Sequence, residues 1–320
     1  MIKYFIVGGG GFIGSHLTEA ILSQESEVEV LVYDNFSSGR LWHLDNIKND
    51  NRLKMVHADI KEKDTLFRQM RGASVVYHLA SNPDISLALT RPDIDFWEGT
   101  YLTNNVLEAM RLNNVKKIIY ASGSGVYGDA GSVTLGEDYP FKLPVSTYGA
   151  SKIAGEALIC SYCFMFGMEG ISLRFANVVG PRQTHGVGYD FIKKLMNDPR
   201  ALHILGDGRQ SKSYIYVGDI ISALRTVEKW PNPPYSYYNI ATSDCVTVKE
   251  IADMASEIMS LKGVKYIYSG QDRGWKGDVP IVKMESEKIR KLGWANKYSS
   301  KEAIARSIRP LWEDARLGRL

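Results

Sequence analysis

The chain has 320 residues, of which 44% are hydrophobic and 23% are charged, and its formal net charge is +3 at pH 7. This length predicts about two domains, or one large α/β domain with an appendage, whose core needs no disulfide bond or metal ion to fold. The mixture of acidic and basic residues is too even to favour nucleic acid or a membrane surface as a partner.

Strand-like and helical segments alternate through the N-terminal half. We predict strands at residues 2–7, 28–33, 53–57, 74–77 and 117–121, and helices at 12–22, 61–70, 93–112 and from 148 onward. This alternation predicts a parallel sheet with right-handed crossover connections. The predicted fold class is therefore α/β, with a Rossmann-like doubly wound parallel sheet, and ligands are expected at the carboxyl ends of its strands.

A glycine-rich turn joins the first predicted strand to the first predicted helix. Gly8, Gly11 and Gly14 give the spacing G-x-x-G-x-x-G, a variant of the dinucleotide-binding pattern. In that pattern one glycine permits a tight turn, the next lets the backbone approach a pyrophosphate, and the last allows close packing of helix on strand. The helix N-terminus adds backbone amides and a positive dipole end for the phosphates. The turn therefore predicts a dinucleotide site.

Carboxylates follow the next two predicted strands. Asp34 stands at the end of the second strand, where a carboxylate accepts hydrogen bonds from the adenosine ribose and repels a 2′-phosphate. We therefore predict NAD rather than NADP, although Arg40 lies close enough in sequence to neutralise a phosphate. Asp59, which precedes Ile60 after the third strand, is placed to meet the adenine amino group.

Tyr148 and Lys152 lie four residues apart on a predicted helix, so their side chains share one face. A free phenol has a pKa of about 10 and is a poor base at neutral pH. A neighbouring ammonium favours the phenolate, so Lys152 is expected to lower the pKa of Tyr148 until it accepts a proton from a hydroxyl. Many pairs with this spacing are solvated surface residues, so the spacing alone makes catalysis a hypothesis.

Other candidates for metal or redox chemistry are weak. Cys160 and Cys163 sit one helical turn apart with no second pair, so we interpret them as core thiols and predict no metal site. His78 follows a buried strand and is expected to be a packed, hydrogen-bonded histidine. Neither an apolar run of about 18 residues nor a signal-peptide pattern is present, so we expect a cytoplasmic protein.

The strict alternation breaks after Asn177. We predict helices at 187–196, 218–229 and 246–259, two more near the C-terminus, and strands at 202–205, 214–217 and 265–268. Pro231, Pro233 and Pro234 are expected to form a rigid loop rather than a domain linker.

Further motifs follow one another along nearly the whole chain. They are GGGGFIG at 8–14, DNFSSG at 34–39, ADI at 58–60, HLA at 78–80, VYG at 126–128, the Tyr148 and Lys152 pair, LRFAN at 173–177, GPR at 180–182, YIYV at 214–217 with Asp219, and RGWKGD at 273–278. In this order they resemble the extended short-chain dehydrogenase/reductases that act on nucleotide sugars, and within that family the enzymes that epimerise UDP-hexoses at C4.

The resemblance implies roles for individual residues. Tyr148 matches the catalytic base, and Lys152 would also hold the nicotinamide ribose. Residues matching cofactor contacts are Gly8, Gly11, Phe12, Ile13, Gly14, Asp34, Asn35, Ser37, Ser38, Gly39, Asp59, Ile60, Leu79, Ala80, Ser81, Tyr148, Lys152, Phe175 and Val178. Residues matching substrate contacts are Asn177, Val187, Lys212, Tyr214, Arg273 and Asp278. Among the substrate residues, Lys212 and Arg273 suit a diphosphate, and Tyr214 has the alternatives of packing on the nucleotide or filling the core.

The sequence departs from the family at two catalytic positions. Relatives carry Ser or Thr three residues before the Val of Val-Tyr-Gly, where the hydroxyl bridges the sugar and the tyrosine, but this chain has Gly123. Ser122 or Ser124 would have to replace that hydroxyl, or Tyr148 would act alone. The asparagine that relatives carry near the cofactor is Gly99 in this chain. Relatives also carry Arg at the position of Lys212, so this chain has the point charge of an ammonium where they have the forked donors of a guanidinium.

The expected architecture is an NAD-binding domain over 1–176, completed by segments around 214–240, and a smaller C-terminal α/β substrate-binding domain over most of 177–320. The expected activity is reversible NAD-dependent 4-epimerisation of a UDP-hexose, UDP-glucose and UDP-galactose, through a 4-keto intermediate, and the N-acetylglucosamine and uronic acid series stay open. The alternatives are a dehydrogenase or reductase of the same family, or a non-catalytic NAD-binding protein. The resemblance also implies a homodimer formed through the helices at 93–112 and from 148.

Overall fold

The structure, a computed structural model, describes residues 1–231 and 233–320; Asn232, inside the predicted proline loop, lies outside the described residues. In chain order the strands are β1 (Ile2–Val7), β2 (Val28–Asp34), β3 (Leu53–His57), β4 (Val75–His78), β5 (Lys117–Gly123), β6 (Thr134–Leu135), β7 (Glu169–Phe175), β8 (Asn177–Val179), β9 (Ala201–Ile204), β10 (Ser211–Lys212), β11 (Tyr214–Tyr216), β12 (Tyr235–Ile240), β13 (Val246–Thr247), β14 (Lys265–Tyr268) and β15 (Ile281–Met284). The α-helices are α1 (Phe12–Gln24), α2 (Lys63–Gln69), α3 (Leu102–Leu112), α4 (Thr147–Phe166), α5 (Val187–Asn197), α6 (Val217–Lys229), α7 (Val248–Ile258), α8 (Glu287–Arg290) and α9 (Ser300–Arg316).

Seven strands form the main sheet in the order β12-β7-β5-β4-β1-β2-β3. Strand β1 pairs in parallel with β2 and β4, β2 pairs in parallel with β3, and β4 pairs in parallel with β5. Most residues of β1, β2 and β4 are buried, as expected for parallel strands covered by helices on both faces. The predicted α/β class with a Rossmann-type parallel sheet is confirmed.

Two compact units divide the chain. The first contains Met1–Val126, Thr147–Arg174 and Ile221–Tyr238, and the second contains Tyr127–Ser146, Phe175–Ile220 and Asn239–Leu320. Each unit has its own apolar core, the first around β1, β2, β4, β5 and α3, the second around α5, α7 and α9. The segment Tyr127–Ser146 was predicted within the first domain but groups with the second unit.

Two predicted helices differ in detail from the expectation. The helix predicted at 93–112 contains a π-helical turn, Phe96–Tyr101, before α3 begins. Within that turn Gly99 packs against α4, since a Cβ there would lie 2.8 Å from Ser151 Oγ. The helix predicted from 246 begins at Val248, because Thr247 caps it in a capping box with Glu250 and pairs in β13 instead.

The cysteines carry no disulfide in the described residues. Cys163 is buried in the core of the first unit, and Cys160 is half-buried on the same helix. Burial raises the pKa of both thiols, which keeps them protonated and unreactive at neutral pH. No group of three or more His, Cys, Asp or Glu side chains that could hold a metal is found among the described residues.

Candidate active site

The glycine turn between β1 and α1 has a backbone conformation and a close packing that only glycine residues allow. Gly8 has a φ of 82°, and a Cβ on Gly14 would lie 2.2 Å from the carbonyl oxygen of Gly8. Gly11 stands at the N-cap of α1, so no side chain caps the helix, and its first turn has no acidic residue. Its first amides, those of Phe12, Ile13 and Gly14, precede the first intrahelical hydrogen bond and remain for an anion.

Asp34, at the end of β2, is fixed by two backbone amides. Its Oδ2 accepts a hydrogen bond from the Gly10 amide at 2.8 Å, and its Oδ1 accepts one from the Phe36 amide at 2.7 Å. Burial raises the pKa of Asp34, and these amides act in the opposite direction. The structure therefore places this carboxylate beside the glycine turn. Arg40, the predicted alternative for a 2′-phosphate, donates to the carbonyls of its own loop at Ser38 and Gly39.

The other predicted adenosine contacts lie in the loops after β2 and β3. Asn35 Nδ2 donates to Asp59 Oδ2 at 2.9 Å, and Asn35 Oδ1 accepts from the Ser37 amide. Gly39 packs on the glycine turn, since a Cβ there would lie 2.7 Å from the Gly10 carbonyl oxygen. The carbonyl of Ile60 accepts a hydrogen bond from Asn105 Nδ2 at 3.4 Å.

The segment after β4 is tied directly to β1. The amides of Leu79 and Ala80 both donate to the Val7 carbonyl, at 2.9 and 3.1 Å. His78, just before them, is buried and shares a 3.0 Å hydrogen bond between its Nε2 and Thr103 Oγ1. Burial, together with the charge of Lys152, lowers the pKa of His78 to about 3, so this histidine is neutral. The prediction of a packed, hydrogen-bonded histidine is confirmed.

Tyr148 and Lys152 stand one turn apart on α4, with Lys152 Nζ 5.3 Å from the centre of the Tyr148 ring. Lys152 is only 3% exposed, and its ammonium donates to the Ala121 carbonyl at 2.8 Å. An ammonium has three N–H donors, so two remain for a ligand. Burial lowers the pKa of Lys152 to about 8, while the charges of Asp95 and Glu156 act in the opposite direction.

The sequence predicts that Lys152 lowers the pKa of Tyr148, and this prediction is wrong for the chain alone. Tyr148 is half-buried, and the loss of hydration raises its pKa to about 12. A side-chain hydrogen bond with Ser81 lowers the pKa, and the charge of Asp95 raises it. Lys152 is held by the Ala121 carbonyl and does not offset this cost of burial. The phenol is therefore protonated at neutral pH in the chain alone.

The two serines proposed to replace a hydroxyl at Gly123 differ in availability. Ser122 is buried and donates its only hydroxyl proton to Glu156 Oε1 at 2.6 Å. The structure therefore does not support Ser122 as the hydroxyl that bridges substrate and tyrosine. Ser124 is half-buried at the start of a short turn that contacts Tyr148, since a Cβ on Gly125 would lie 3.6 Å from the tyrosine ring.

Three predicted substrate residues meet in the second unit. Lys212 Nζ lies 2.6 Å from Asp278 Oδ1, and Arg273 Nη1 donates to the Asp278 carbonyl at 2.7 Å. The other Arg273 nitrogen, Nη2, lies 2.6 Å from Asp129 Oδ2. Asp278 thus contacts both cations expected to bind a diphosphate, Lys212 through its carboxylate and Arg273 through its backbone carbonyl.

The remaining predicted residues of the second unit lie near β8, α5 and β11. Asn177 Nδ2 donates to the Ser213 carbonyl at 3.1 Å, and Val178 pairs with Ile215 between β8 and β11. Phe175 is buried, and Val187 is half-buried at the start of α5. Tyr214 is buried in the core of the second unit. Of its two predicted alternatives, the structure supports packing in the core.

Sequence analysis missed a buried polar cluster next to Tyr148. Asp95 accepts hydrogen bonds on both carboxylate oxygens, from Asn82 Nδ2 at 2.9 Å and from Thr147 Oγ1 at 2.7 Å. It also missed Glu156, which pairs with Arg174 at 2.7 Å. The spacing Tyr148, Lys152, Glu156 repeats every four residues on one helix face and would have indicated Glu156. Nothing in the sequence indicates the contact with Asp95.

Comparison with known proteins identifies the family. The model of the NAD dependent epimerase/dehydratase family matches residues 4–241. The chain belongs to this family.

Individual members of the epimerase/dehydratase family resemble the chain over its length. A protein of Methanocaldococcus jannaschii named putative UDP-glucose 4-epimerase is 32% identical over 95% of this chain and 96% of its own. A dTDP-D-glucose 4,6-dehydratase of Bos taurus is 28% identical over 96% of this chain and 87% of its own. A crystal structure of UDP-galactose 4-epimerase superposes with a TM-score of 0.86 at 34% identity, covering 98% of this chain and 99% of that one.

Membership of the epimerase/dehydratase family makes NAD the cofactor of this chain. The residues fit this cofactor, because the uncapped start of α1 offers free amides and a side chain on Gly14 would close the turn beside them. Asp34 is positioned at the same turn by the Gly10 amide. No helix among the described residues is long and apolar enough to span a bilayer.

Proposed function

We propose that this chain is a 4-epimerase of UDP-hexoses that interconverts UDP-glucose and UDP-galactose through a 4-keto intermediate. The observation that carries this proposal is the pair of Tyr148 and Lys152 on one face of α4, with Lys152 Nζ 5.3 Å from the tyrosine ring. The same compact unit contains the glycine turn and Asp34. A proton acceptor and a dinucleotide site on one scaffold support oxidation and reduction at a sugar hydroxyl.

In this proposal Tyr148 accepts the proton of the sugar 4-hydroxyl and later returns it to the same oxygen, once the 4-keto sugar has turned its opposite face toward the cofactor. Lys152 orients the cofactor ribose with the N–H donors that Ala121 leaves free. NAD, when bound, would supply a reversible hydride acceptor, so that no cofactor is consumed, and its positive charge would favour the phenolate. The protein contributes position and electrostatics around the tyrosine.

Lys212 and Arg273 are proposed to bind the diphosphate of the UDP-sugar. Both cations are half-buried and lie against Asp278, which keeps them in place without substrate. Lys212 acts as a point charge, whereas the guanidinium of Arg273 offers a fork of donors that suits phosphate oxygens. Asn177, on the strand next to Tyr214, is proposed as a further polar contact to the diphosphate.

A 4,6-dehydratase is the second candidate, because such an enzyme is among the relatives. Dehydration needs an additional acid and base beside the tyrosine, and relatives with that activity place an Asp-Glu pair after the Ser or Thr. This chain has Ser124 and Gly125 at those positions. The absence of both carboxylates from these two positions favours epimerisation.

The test is to incubate the purified protein with UDP-galactose without adding cofactor and to separate the nucleotide sugars by chromatography. We expect UDP-glucose to form, and we expect denaturation of the same preparation to release NAD. A net dehydrogenase or reductase would instead need added cofactor and change its absorbance at each turnover. No conversion of any UDP-hexose would refute the proposed function.

We also propose that the chain forms a homodimer through the outer face of α4. On this face Ala157 and Phe164 are exposed and Ile153 and Cys160 are half-buried, and Phe164 alone is 72% exposed. An uncovered apolar face of this kind favours association. Sedimentation should give twice the mass of one chain, and Phe164→Asp should reduce it toward the monomer. A monomeric wild-type protein at micromolar concentration would contradict the proposal.

A further inference from the structure

A small four-stranded sheet in the second unit brings the proposed diphosphate residues together. Strand β15 lies between β10 and β6 in this sheet. Lys212 stands on β10, where it pairs in register with Val282 of β15. Arg273 and Asp278 belong to the segment that leads into β15, and Asp129 belongs to the segment that leads into β6. The sheet therefore sets a carboxylate from a separate segment beside the two cations, and sequence analysis did not assign that residue.

Arg273 has an anchor on its own segment and does not need Asp129 to stay in place. Its Nη1 donates to the Asp278 carbonyl at 2.7 Å. The carboxylate of Asp278 is fixed in turn, because its Oδ1 lies 2.6 Å from Lys212 Nζ and its Oδ2 accepts a hydrogen bond from the Gly274 amide at 3.1 Å. The guanidinium therefore keeps its position when Nη2 has no carboxylate partner.

Asp129 is the second anion at this site and is held by its own turn. Its Oδ1 accepts a hydrogen bond from the Gly131 amide at 3.0 Å, and its Oδ2 lies 2.6 Å from Arg273 Nη2. The Gly131 amide and then the guanidinium of Arg273 lower the pKa of Asp129, so this carboxylate is charged at neutral pH. Asp129 and Asp278 together therefore balance the positive charges of Lys212 and Arg273.

We propose that Asp129 competes with the diphosphate of the nucleotide sugar for Arg273 and thereby sets the affinity of the site. A phosphate oxygen that binds Nη2 has to replace the Asp129 carboxylate there, and a carboxylate left at the same cation repels a doubly negative diphosphate. The side chains of Arg273 and Asp129 are 33% and 25% exposed, so their ion pair is weak enough to be exchanged. The inference rests on the proposed function, because it assigns a competitor to the arginine of the proposed diphosphate site.

The experiment measures the Kd of uridine diphosphate (UDP) by titration calorimetry for the wild type and for Asp129→Asn. Asparagine keeps an oxygen for the Gly131 amide but has no charge to hold Arg273. We expect the variant to bind UDP about fivefold more tightly, which corresponds to the loss of a competing ion pair of about 1 kcal/mol. Asp138→Asn is the matched control and should keep the wild-type Kd, because Asp138 lies further along the same segment and pairs with Lys288 at 2.9 Å.

A double-mutant cycle with Arg273→Gln separates competition from general repulsion. If Asp129 acts through Arg273, Asp129→Asn should change the Kd of UDP by less than about twofold once the guanidinium is gone. An equal gain with and without Arg273 would overturn the inference.

The other outcomes distinguish this inference from the proposed function. Unchanged or weaker UDP binding by Asp129→Asn alone would overturn the inference, since Asp129 would then at most support the arginine. A wild-type protein that does not bind UDP would refute the proposed diphosphate site and this inference with it. A wild type that binds UDP but converts no UDP-hexose would refute the proposed function, and the Asp129 variants would still decide the inference.

Discussion

Replacing Tyr148 with phenylalanine should lower kcat for UDP-galactose by about 10²- to 10⁴-fold, the usual contribution of a positioned acid–base group. Phenylalanine keeps the ring that packs against the turn at Gly125 and removes only the hydroxyl. Affinity for NAD and the unfolding midpoint should therefore stay near wild type. Steady-state rates combined with the NAD content of the purified variant measure this directly.

Tyr162→Phe is the matched control for this substitution. Tyr162 lies on the same helix, and its hydroxyl donates to Glu108 at 2.6 Å, away from the proposed site. We expect its kcat to remain within about twofold of wild type, as for a surface change far from the chemistry. A Tyr148→Phe enzyme that retains a comparable rate would remove the tyrosine from the mechanism.

Replacing Glu156 with alanine should reduce the free energy of unfolding by about 3–5 kcal/mol, the usual cost of breaking a buried ion pair from one side. Glu156 and Arg174 are both buried, and the guanidinium donates to both carboxylate oxygens. Removing the carboxylate takes the ion-pair partner away from the buried, charged guanidinium of Arg174. Urea denaturation of the variant measures this loss.

The control for that substitution is Asp45→Ala, which breaks an exposed pair with Lys48 in the same unit. Both side chains of this pair are 53% exposed, so we expect a change of at most about 1 kcal/mol. Replacing Glu156 and Arg174 together by Leu and Met should recover much of the loss, because neither residue of the pair then leaves a buried charge without its partner. If Glu156→Ala is as stable as Asp45→Ala, the pair does not anchor the catalytic helix.

Local patterns were sufficient to predict most of the first unit. The glycine spacing at Gly8, Gly11 and Gly14 and the carboxylate at Asp34 depend on nearby residues only, and the structure places them at one turn. The alternation of strands and helices likewise predicted the parallel sheet. These features follow from local backbone preferences and hydrophobic periodicity, both of which can be read from a single sequence.

Contacts between distant segments account for what the sequence did not reveal. Ser122 turns away from the proposed reaction because Glu156 accepts its proton, and that carboxylate is in place because Arg174, on β7, pairs with it. Gly99, in the π-helical turn, packs closely against Ser151, which lies about fifty residues further along the chain. The pKa of Tyr148 was predicted from one neighbour, whereas burial raises it to about 12. Each of these properties depends on burial or on a pairing that spacing does not encode.

The most direct test of the account follows a label at the reacting carbon. The purified protein is incubated with UDP-galactose deuterated at C4, without added cofactor, and the product is examined by NMR. We predict UDP-glucose that retains deuterium at C4, because the hydride leaves and returns to the same carbon while only the hydroxyl proton passes through Tyr148. Product that has lost the label to solvent, or no product at all, would contradict the account.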